Sequence, residues 1–296
     1  MVNTKILTSE FEYHQAESLG ELFKLMNQYG TRAKIIAGGT DIIPGLKYER
    51  MATECLISIA NVKDLNYIEE DQSLIIGAAT KLSEIKKYCS GKKNHALLHD
   101  AIASIAKIQI LNMGTLGGNL CTASPAADSA PALLTLNAKV KLSDGKNERV
   151  VALKDFFVNV QKSFLKTNEI MTEIEIPPTN NDTSGAFQRM LRVAADISKL
   201  SCAVLIQRQG DVCQSAAIAL GSVAPTPIRL FDTEPLLENQ RVTQELINSV
   251  GQAVSDSIQP ITDIRSTESY RKQVAGVLFK DVFQIAWQRA GISNGK

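Results

Sequence analysis

The chain has 296 residues, 44% of them apolar, and a formal net charge of +1. This length allows two domains with substantial cores, and the balanced charge gives no indication of a nucleic-acid or strongly acidic partner. The five cysteines are widely spaced and never form CxxC, which excludes a disulfide framework and an iron–sulfur cluster motif. Because the N-terminus lacks an apolar signal segment and no apolar run reaches about 18 residues, we expect a cytoplasmic protein.

The first part of the chain is predicted to combine helices with short buried strands. The segment SLGE at 18–21 has the form of a capping box, and the apolar residues after it predict a helix that Gly30 can close. Apolar runs predict strands over 34–37, 56–59 and 74–78, and helical periodicity predicts helices over 82–88 and 96–108.

From Ala138 onward the pattern favours strands. Val140 and Leu142 alternate with polar residues, Asp144 and Gly145 indicate a hairpin turn, and alternation returns over 170–176. The segment PPTNNDTSG at 177–185 is typical of a linker. Beyond it we expect strands over 186–193, 201–207 and 214–220, then helices over about 243–258 and 266–290. The predicted fold is α+β, with a larger first domain and a smaller second domain of one sheet plus helices.

Two glycine pairs are the main candidates for a functional site. The first lies in IIAGGTD and the second in NMGTLGGNLCTASPAAD, which ends at Asp128. Glycine permits positive φ and close approach of a ligand, and successive free N–H groups can form a nest for phosphate oxygens. Thr40 and Thr115 can each add a hydroxyl donor. Ser124 and Pro125 have the residue types of a helix N-cap and N1, so a helix N-terminus is expected nearby.

Two such loops in one chain favour a ligand with two phosphates, such as a dinucleotide. Neither loop is the GxGxxG of a Rossmann unit, and no Gly-Lys-Ser/Thr of a phosphate-binding P-loop follows either of them. A structural alternative remains open, because a single Gly-Gly is usually only a turn, and an Asp in a first helical turn commonly compensates the helix dipole.

The two loops, together with GAFQRMLRVAADIS at 185–198 and LGSVAPTPIR at 220–229, resemble the FAD-binding medium subunit of the molybdenum hydroxylase and xanthine dehydrogenase family. The resemblance implies a two-part FAD-binding fold of the vanillyl-alcohol oxidase and cresol hydroxylase type over 1–178, with subdomains of about 1–58 and 59–178. A C-terminal flavoprotein domain, an antiparallel sheet plus helices, is implied over 185–292.

The same resemblance implies residues that bind FAD. One side of the pyrophosphate would be held by Lys34, Ile35, Ile36, Ala37, Gly38, Gly39, Thr40 and Asp41, and the other by Thr115, Leu116, Gly117, Gly118 and Asn119. Asp128 would accept a hydrogen bond from the ribityl chain or a nearby hydroxyl. Leu165 and Gln188 would lie near the isoalloxazine, with the segment 192–196 beside its reactive edge. The family often has a cation where Leu111 stands and Lys where Gln188 stands, which bears on the flavin potential.

The resemblance also implies partners. A large molybdopterin subunit and a small [2Fe–2S] subunit would complete a heterotrimer, and electrons would leave the flavin for NAD⁺ or another acceptor. No catalytic residue and no metal site is expected on this chain, although His95 and His99 have the i, i+4 spacing of a helical metal pair. Two alternatives remain: a stand-alone flavin oxidase, and an interaction subunit without flavin. The substrate could be a purine, another heterocycle, an aldehyde or carbon monoxide.

Overall fold

The computed structural model describes residues 10–105, 107–193 and 196–291. The first subdomain is a parallel three-stranded sheet in the order β1-β3-β2, covered by helix α1. Its elements are β1 (Glu12–Gln15), α1 (Leu19–Tyr29), β2 (Ala33–Ile36), α2 (Ile42–Lys47) and β3 (Cys55–Ser58). The predicted first helix is confirmed: Ser18 Oγ accepts from the Glu21 amide at 3.2 Å, and Gly30 ends the helix at φ 54°. The Glu21 carboxylate accepts from the Glu17 amide at 2.9 Å.

The second subdomain contains an antiparallel five-stranded sheet in the order β4-β5-β10-β6-β7. In chain order, its first elements are β4 (Ile68–Glu70), β5 (Leu74–Gly77), α3 (Leu82–Cys89), α4 (Ala96–Ser104), α5 (Ile108–Met113), α6 (Leu116–Cys121) and α7 (Ser129–Thr135). The remaining elements are β6 (Lys139–Ser143), β7 (Glu148–Ala152), α8 (Leu153–Phe156), β8 (Phe157–Asn159), β9 (Lys162–Ser163) and β10 (Ile170–Ile176). The predicted hairpin turn is confirmed, with Gly145 at φ 85°.

The C-terminal part is an antiparallel sheet covered by two helices. Its strands are β11 (Thr183–Met190), β12 (Leu200–Gln209), β13 (Val212–Gly221), β14 (Ile228–Arg229) and β15 (Gln240–Arg241), and its helices are α9 (Gln244–Asp256) and α10 (Glu268–Ala290). Helix α10 packs on one face of this sheet, and helices α4 and α7 of the preceding part pack on the other. The expected α+β architecture is confirmed.

Three boundaries differ from the sequence prediction. The helix predicted over 96–108 ends at Ser104, because Ile105 has an extended backbone, and α5 is a separate helix; Ala106 lies outside the described residues. No helix begins at Pro125, since Ser124 Oγ accepts from the Ala126 amide in a turn and α7 starts only at Ser129. The expected linker is shorter, because β11 already begins at Thr183.

None of the helices in the described part of the chain is both long enough and apolar enough to cross a membrane.

Candidate functional site

The two glycine loops lie in direct backbone contact. A Cβ built at Gly38 would lie 1.9 Å from the Met113 carbonyl oxygen and 2.8 Å from Gly114 Cα. Thr122 Oγ1, one turn beyond the second pair, donates to Asp41 Oδ2 at 2.9 Å. The fold therefore joins two segments separated by about 75 residues in sequence into one site, and only glycine fits at position 38.

The first loop leaves consecutive backbone donors without partners. Gly39 has φ 70°, in the left-handed region that favours glycine. No acceptor in the described residues receives the amides of Gly38, Gly39, Thr40 or Asp41, and the Thr40 hydroxyl likewise makes no hydrogen bond there. Four adjacent free N–H groups at one turn form the nest expected for phosphate oxygens.

The second loop uses its amides within the fold. Thr115 is the N-cap of α6, and its Oγ1 accepts from the Gly118 amide at 3.1 Å. The Leu116 amide donates to Thr80 O at 3.1 Å and the Gly117 amide to Ala78 O at 2.9 Å. The expected nest of free amides is therefore not present over 116–118, because the carbonyl groups of Ala78 and Thr80, just after β5, and the Thr115 hydroxyl already accept them.

What the second loop still offers is side-chain donors. The Thr115 hydroxyl accepts from Gly118 and keeps its own hydrogen for a ligand. Asn119 Oδ1 accepts from Ser129 Oγ at 2.5 Å, while its amide nitrogen has no acceptor within the described ranges. Thr115 and Asn119 lie at the start of and within helix α6, which is joined to the first loop by the hydrogen bond from Thr122 to Asp41.

The other residues predicted around the first loop offer few polar groups to a ligand. Lys34 is exposed on β2 and forms no ion pair with any described residue. Ile36 is buried, and Ile35 and Ala37 pack against the core of the first subdomain. Leu111 is 5% exposed and packs from α5 into the core of the first domain.

Asp128 forms a buried polar cluster across the two parts of the chain. Its Oδ2 accepts from Arg189 Nη1 at 2.8 Å, and its Oδ1 accepts from Ser198 Oγ at 2.7 Å. Burial raises the pKa of Asp128, while the Arg189 charge and the Ser198 hydrogen bond oppose that rise. Sequence reasoning missed Arg189, although it lies within the segment that carries the family resemblance.

Leu165 and Gln188 are less closely associated with the loops. Leu165 is half-buried against the first-domain core. Gln188 is half-buried on β11 opposite Cys202, and its side chain makes no hydrogen bond with the residues that the structure describes. In the segment 192–196, Arg192 Nε donates to Asp196 Oδ2 at 2.7 Å, and Ala194 and Ala195 lie outside the described residues.

The two histidines weighed as a metal pair do not share a site. His95 Nε2 forms a hydrogen bond with Glu70 Oε1 at 2.7 Å, whereas His99 lies beside Asp100. Among residues 10–105, 107–193 and 196–291, no group of three His, Cys, Asp or Glu side chains could hold a metal ion.

Comparison with known families identifies the family of this chain. Residues 9–179 match the FAD binding domain in molybdopterin dehydrogenase, and residues 185–286 match the CO dehydrogenase flavoprotein C-terminal domain. The chain belongs to the FAD-binding subunits of the molybdopterin dehydrogenases. Its cofactor is accordingly FAD, and it is a subunit of an oxidoreductase, as the resemblance predicted.

Individual relatives extend over nearly the whole chain. The carbon monoxide dehydrogenase medium chain of Hydrogenophaga pseudoflava is 30% identical, covering 96% of this chain and 99% of the relative. The xanthine dehydrogenase FAD-binding subunit of Escherichia coli O157:H7 is 29% identical, covering 94% and 97%. A solved structure of the Hydrogenophaga pseudoflava carbon monoxide dehydrogenase superposes with a TM-score of 0.90 at 31% identity, covering 95% of this chain and 98% of the matched chain. The two-domain FAD-binding fold is thereby confirmed.

Proposed function

We propose that this chain is the electron-transfer flavin subunit of a heterotrimeric molybdenum hydroxylase. A large molybdopterin subunit and a small [2Fe–2S] subunit would be its partners, and electrons would pass from the clusters to FAD and on to NAD⁺ or another acceptor. The observation that carries the proposal is the convergence of the two glycine loops, with four free amides on the first. The names of the relatives, medium chain and FAD-binding subunit, support a place within a complex.

The residues of this chain would bind and orient the cofactor. When bound, FAD supplies the redox chemistry, and the side chains of this chain supply binding, orientation and electrostatics. The amides of 38–41 would donate to the pyrophosphate, and the Thr115 hydroxyl with the Asn119 amide nitrogen would donate from the opposite loop. Arg189 Nε is buried and has no acceptor among the described residues, so it could donate a hydrogen bond to an acceptor atom of a ligand bound beside it.

The substrate of the complex is expected to depend on the large subunit. The segment VAPTPIR favours a xanthine dehydrogenase-like complex, which we propose first. Relatives named for carbon monoxide and for xanthine are 30% and 29% identical to this chain, so overall sequence identity favours neither substrate. Complexes that oxidise carbon monoxide, nicotinate or aldehydes are the alternatives within the same family.

FAD content of the purified full-length chain tests the proposal directly. We expect about one FAD per chain, released on denaturation and identified by its absorption spectrum. After chemical reduction, reoxidation of the flavin by NAD⁺, followed by stopped-flow absorbance, tests the acceptor. A chain that stays colourless with added FAD and in co-expression with its neighbouring subunits contradicts the proposal.

A matched pair of glycine variants tests the role of the first loop. Gly39 and Gly210 both have positive φ, 70° and 58°, so Ala at either position meets similar backbone strain of about 1 kcal/mol. The two sites differ in that a Cβ at Gly39 also lies 3.2 Å from Ile36 and 3.3 Å from Ile43, whereas a Cβ at Gly210 meets no atom within 4 Å. Only Gly39 lies in the proposed phosphate nest, whereas Gly210 lies in the hairpin between β12 and β13. We expect Gly39→Ala to weaken FAD binding at least tenfold and Gly210→Ala to leave it unchanged. Equal effects on FAD affinity would count against the nest.

A further inference from the structure

Strand β11 presents its two faces to different parts of the molecule. Phe187 belongs to the core of the first domain, and a Cβ built at Gly185 would lie 2.9 Å from a leucine side chain of α4. Ala186 and Met190 instead pack in the core that includes α10. Because side chains alternate along a strand and the register with β12 is unbroken, odd-numbered residues face the first domain and even-numbered residues face α10.

This alternation separates Gln188 from Arg189. Gln188 pairs with Cys202, whose side chain is fully buried in the α10 core, so it lies on the face directed away from the first domain. Arg189 lies on the opposite face and contacts Asp128, which directly precedes α7. The cation that β11 directs toward the glycine-loop domain is therefore Arg189.

The guanidinium of Arg189 is only partly satisfied. Its side chain is 9% exposed, and Nη1 donates to Asp128 Oδ2 at 2.8 Å, Asp196 O at 3.4 Å and Ser198 Oγ at 3.5 Å. Nε is buried without an acceptor, and Nη2 makes no hydrogen bond within the described part of the chain. Three of the five N–H donors of an arginine thus remain for another group. Buried unpaired donors are costly, which indicates an acceptor that the described residues do not provide.

The surrounding charges leave one edge of the Arg189 guanidinium without an acceptor among the described residues. Asp128, 7% exposed, is held by both Arg189 and Ser198. The Asp196 carboxylate is engaged by Arg192 Nε at 2.7 Å and by the Ile197 amide. Asp128 therefore fixes one edge of the guanidinium, and its other edge stays available.

We propose that Arg189, positioned by Asp128 and Ser198, supplies the positive charge of the flavin pocket that the family resemblance places at position 188. This inference rests on the proposed function, because it requires bound FAD. Reduction adds negative charge to the flavin, so a nearby buried cation stabilises the reduced cofactor more than the oxidised one. Gln188 has no such effect, because it is neutral and lies on the other face of the sheet.

The midpoint potential of the FAD-loaded full-length chain, measured by redox titration against a reference dye, tests this inference. We expect Arg189→Gln to lower the preference for reduced over oxidised FAD at least tenfold, which corresponds to about 30 mV for a two-electron couple. Arg189→Lys keeps the charge and should stay within about threefold of the unmodified chain, as should the control Arg241→Gln, which removes an exposed cation on β15. Gln188→Ala should shift the potential less than Arg189→Gln does. The melting temperature of each apoprotein shows whether the variants fold.

The outcomes separate this inference from the proposed function. If the unmodified chain binds no FAD, the proposed function fails. If it binds FAD and Arg189→Gln leaves the potential unchanged, or Gln188→Ala shifts it more, Arg189 is only a structural link and the inference is overturned. Should Arg189→Gln not fold, Asp128→Asn/Arg189→Gln replaces it, since that pair leaves no buried charge unpaired. The double variant differs from Asp128→Asn only in the charge at position 189, so it should prefer reduced FAD at least tenfold less than Asp128→Asn does, and equal potentials of these two variants again overturn the inference.

Discussion

The two glycine loops have nearly the same sequence signature, Gly-Gly beside a threonine, but the fold uses them differently. Over 38–41 the amides have no partner among the described residues, whereas over 116–118 they donate to Thr80, Ala78 and Thr115. Among the described residues, the first loop keeps unpartnered backbone donors, whereas the second uses its amides within the fold and offers side-chain donors. A glycine pair therefore does not by itself define a phosphate nest, because neighbouring strands and helix caps compete for the same N–H groups.

The largest expected effect is at the contact between the loops. In Gly38→Ala the new methyl group would lie 1.9 Å from the Met113 carbonyl oxygen, and backbone cannot move aside as a side chain can. We expect the free energy of unfolding to fall by about 3 kcal/mol and FAD binding to weaken at least 100-fold. Urea denaturation and fluorescence titration with FAD measure the two effects.

Gly20→Ala is the control for this variant. Like Gly38, Gly20 has no positive φ, and the built Cβ of Gly20 meets only Ser18 Oγ at 4.0 Å, so the substitution adds a methyl group without a steric clash. Because Gly20 lies in helix α1, where Ala is favoured over Gly by about 1 kcal/mol, we expect no loss of stability and unchanged FAD affinity. Unchanged FAD affinity in Gly38→Ala would show that the two loops do not have to touch in order to bind the cofactor.

A smaller effect is expected inside the second loop, where adjacent glycines have different neighbours. A Cβ at Gly117 would lie 2.6 Å from Ala78 O and 2.6 Å from Ala78 Cβ, whereas at Gly118 it would meet only Thr115 Oγ1 at 2.9 Å. We expect Gly117→Ala to destabilise the fold by about 2 kcal/mol and Gly118→Ala by less than about 1 kcal/mol. The free energies of unfolding of the apoproteins provide the comparison, and the reverse order would contradict a structural role for this loop.

The sequence predicts the elements well where one periodicity dominates, as in α1, β10 and α9, and where a capping residue such as Ser18 or Thr243 marks the start. It fails where local hydrogen bonds override helix propensity. Ser124 has the residue type of an N-cap, but its Oγ accepts within a turn, and the helix N-cap of this region is Thr115. Both residues carry a hydroxyl group, and only the partners that the tertiary fold supplies distinguish them.

The candidate site is likewise predicted in part. Both loops can be recognised as sequence motifs. Their contact at Gly38 arises from the tertiary fold, and the spacing of residues in the sequence does not predict it. Arg189 is not predicted from the sequence for a related reason. A motif identifies a segment, but it does not show which of two adjacent side chains faces the ligand. The pairing of β11 with β12 decides that question, since strand register fixes which face each residue occupies.

The smallest expected effects compare the two threonines. Thr115→Val removes the N-cap of α6 and should cost about 1 kcal/mol of the free energy of unfolding. Thr40→Val removes a hydroxyl that has no partner in the described residues, so stability should change little, while FAD affinity should fall about fivefold, the value of one hydrogen bond. Denaturation and FAD titration of both variants measure stability and affinity on the same samples. Thr115→Ser, which keeps the capping oxygen, should recover most of the stability. If Thr40→Val lost stability and Thr115→Val lost none, the division between a binding loop and a structural loop would be reversed.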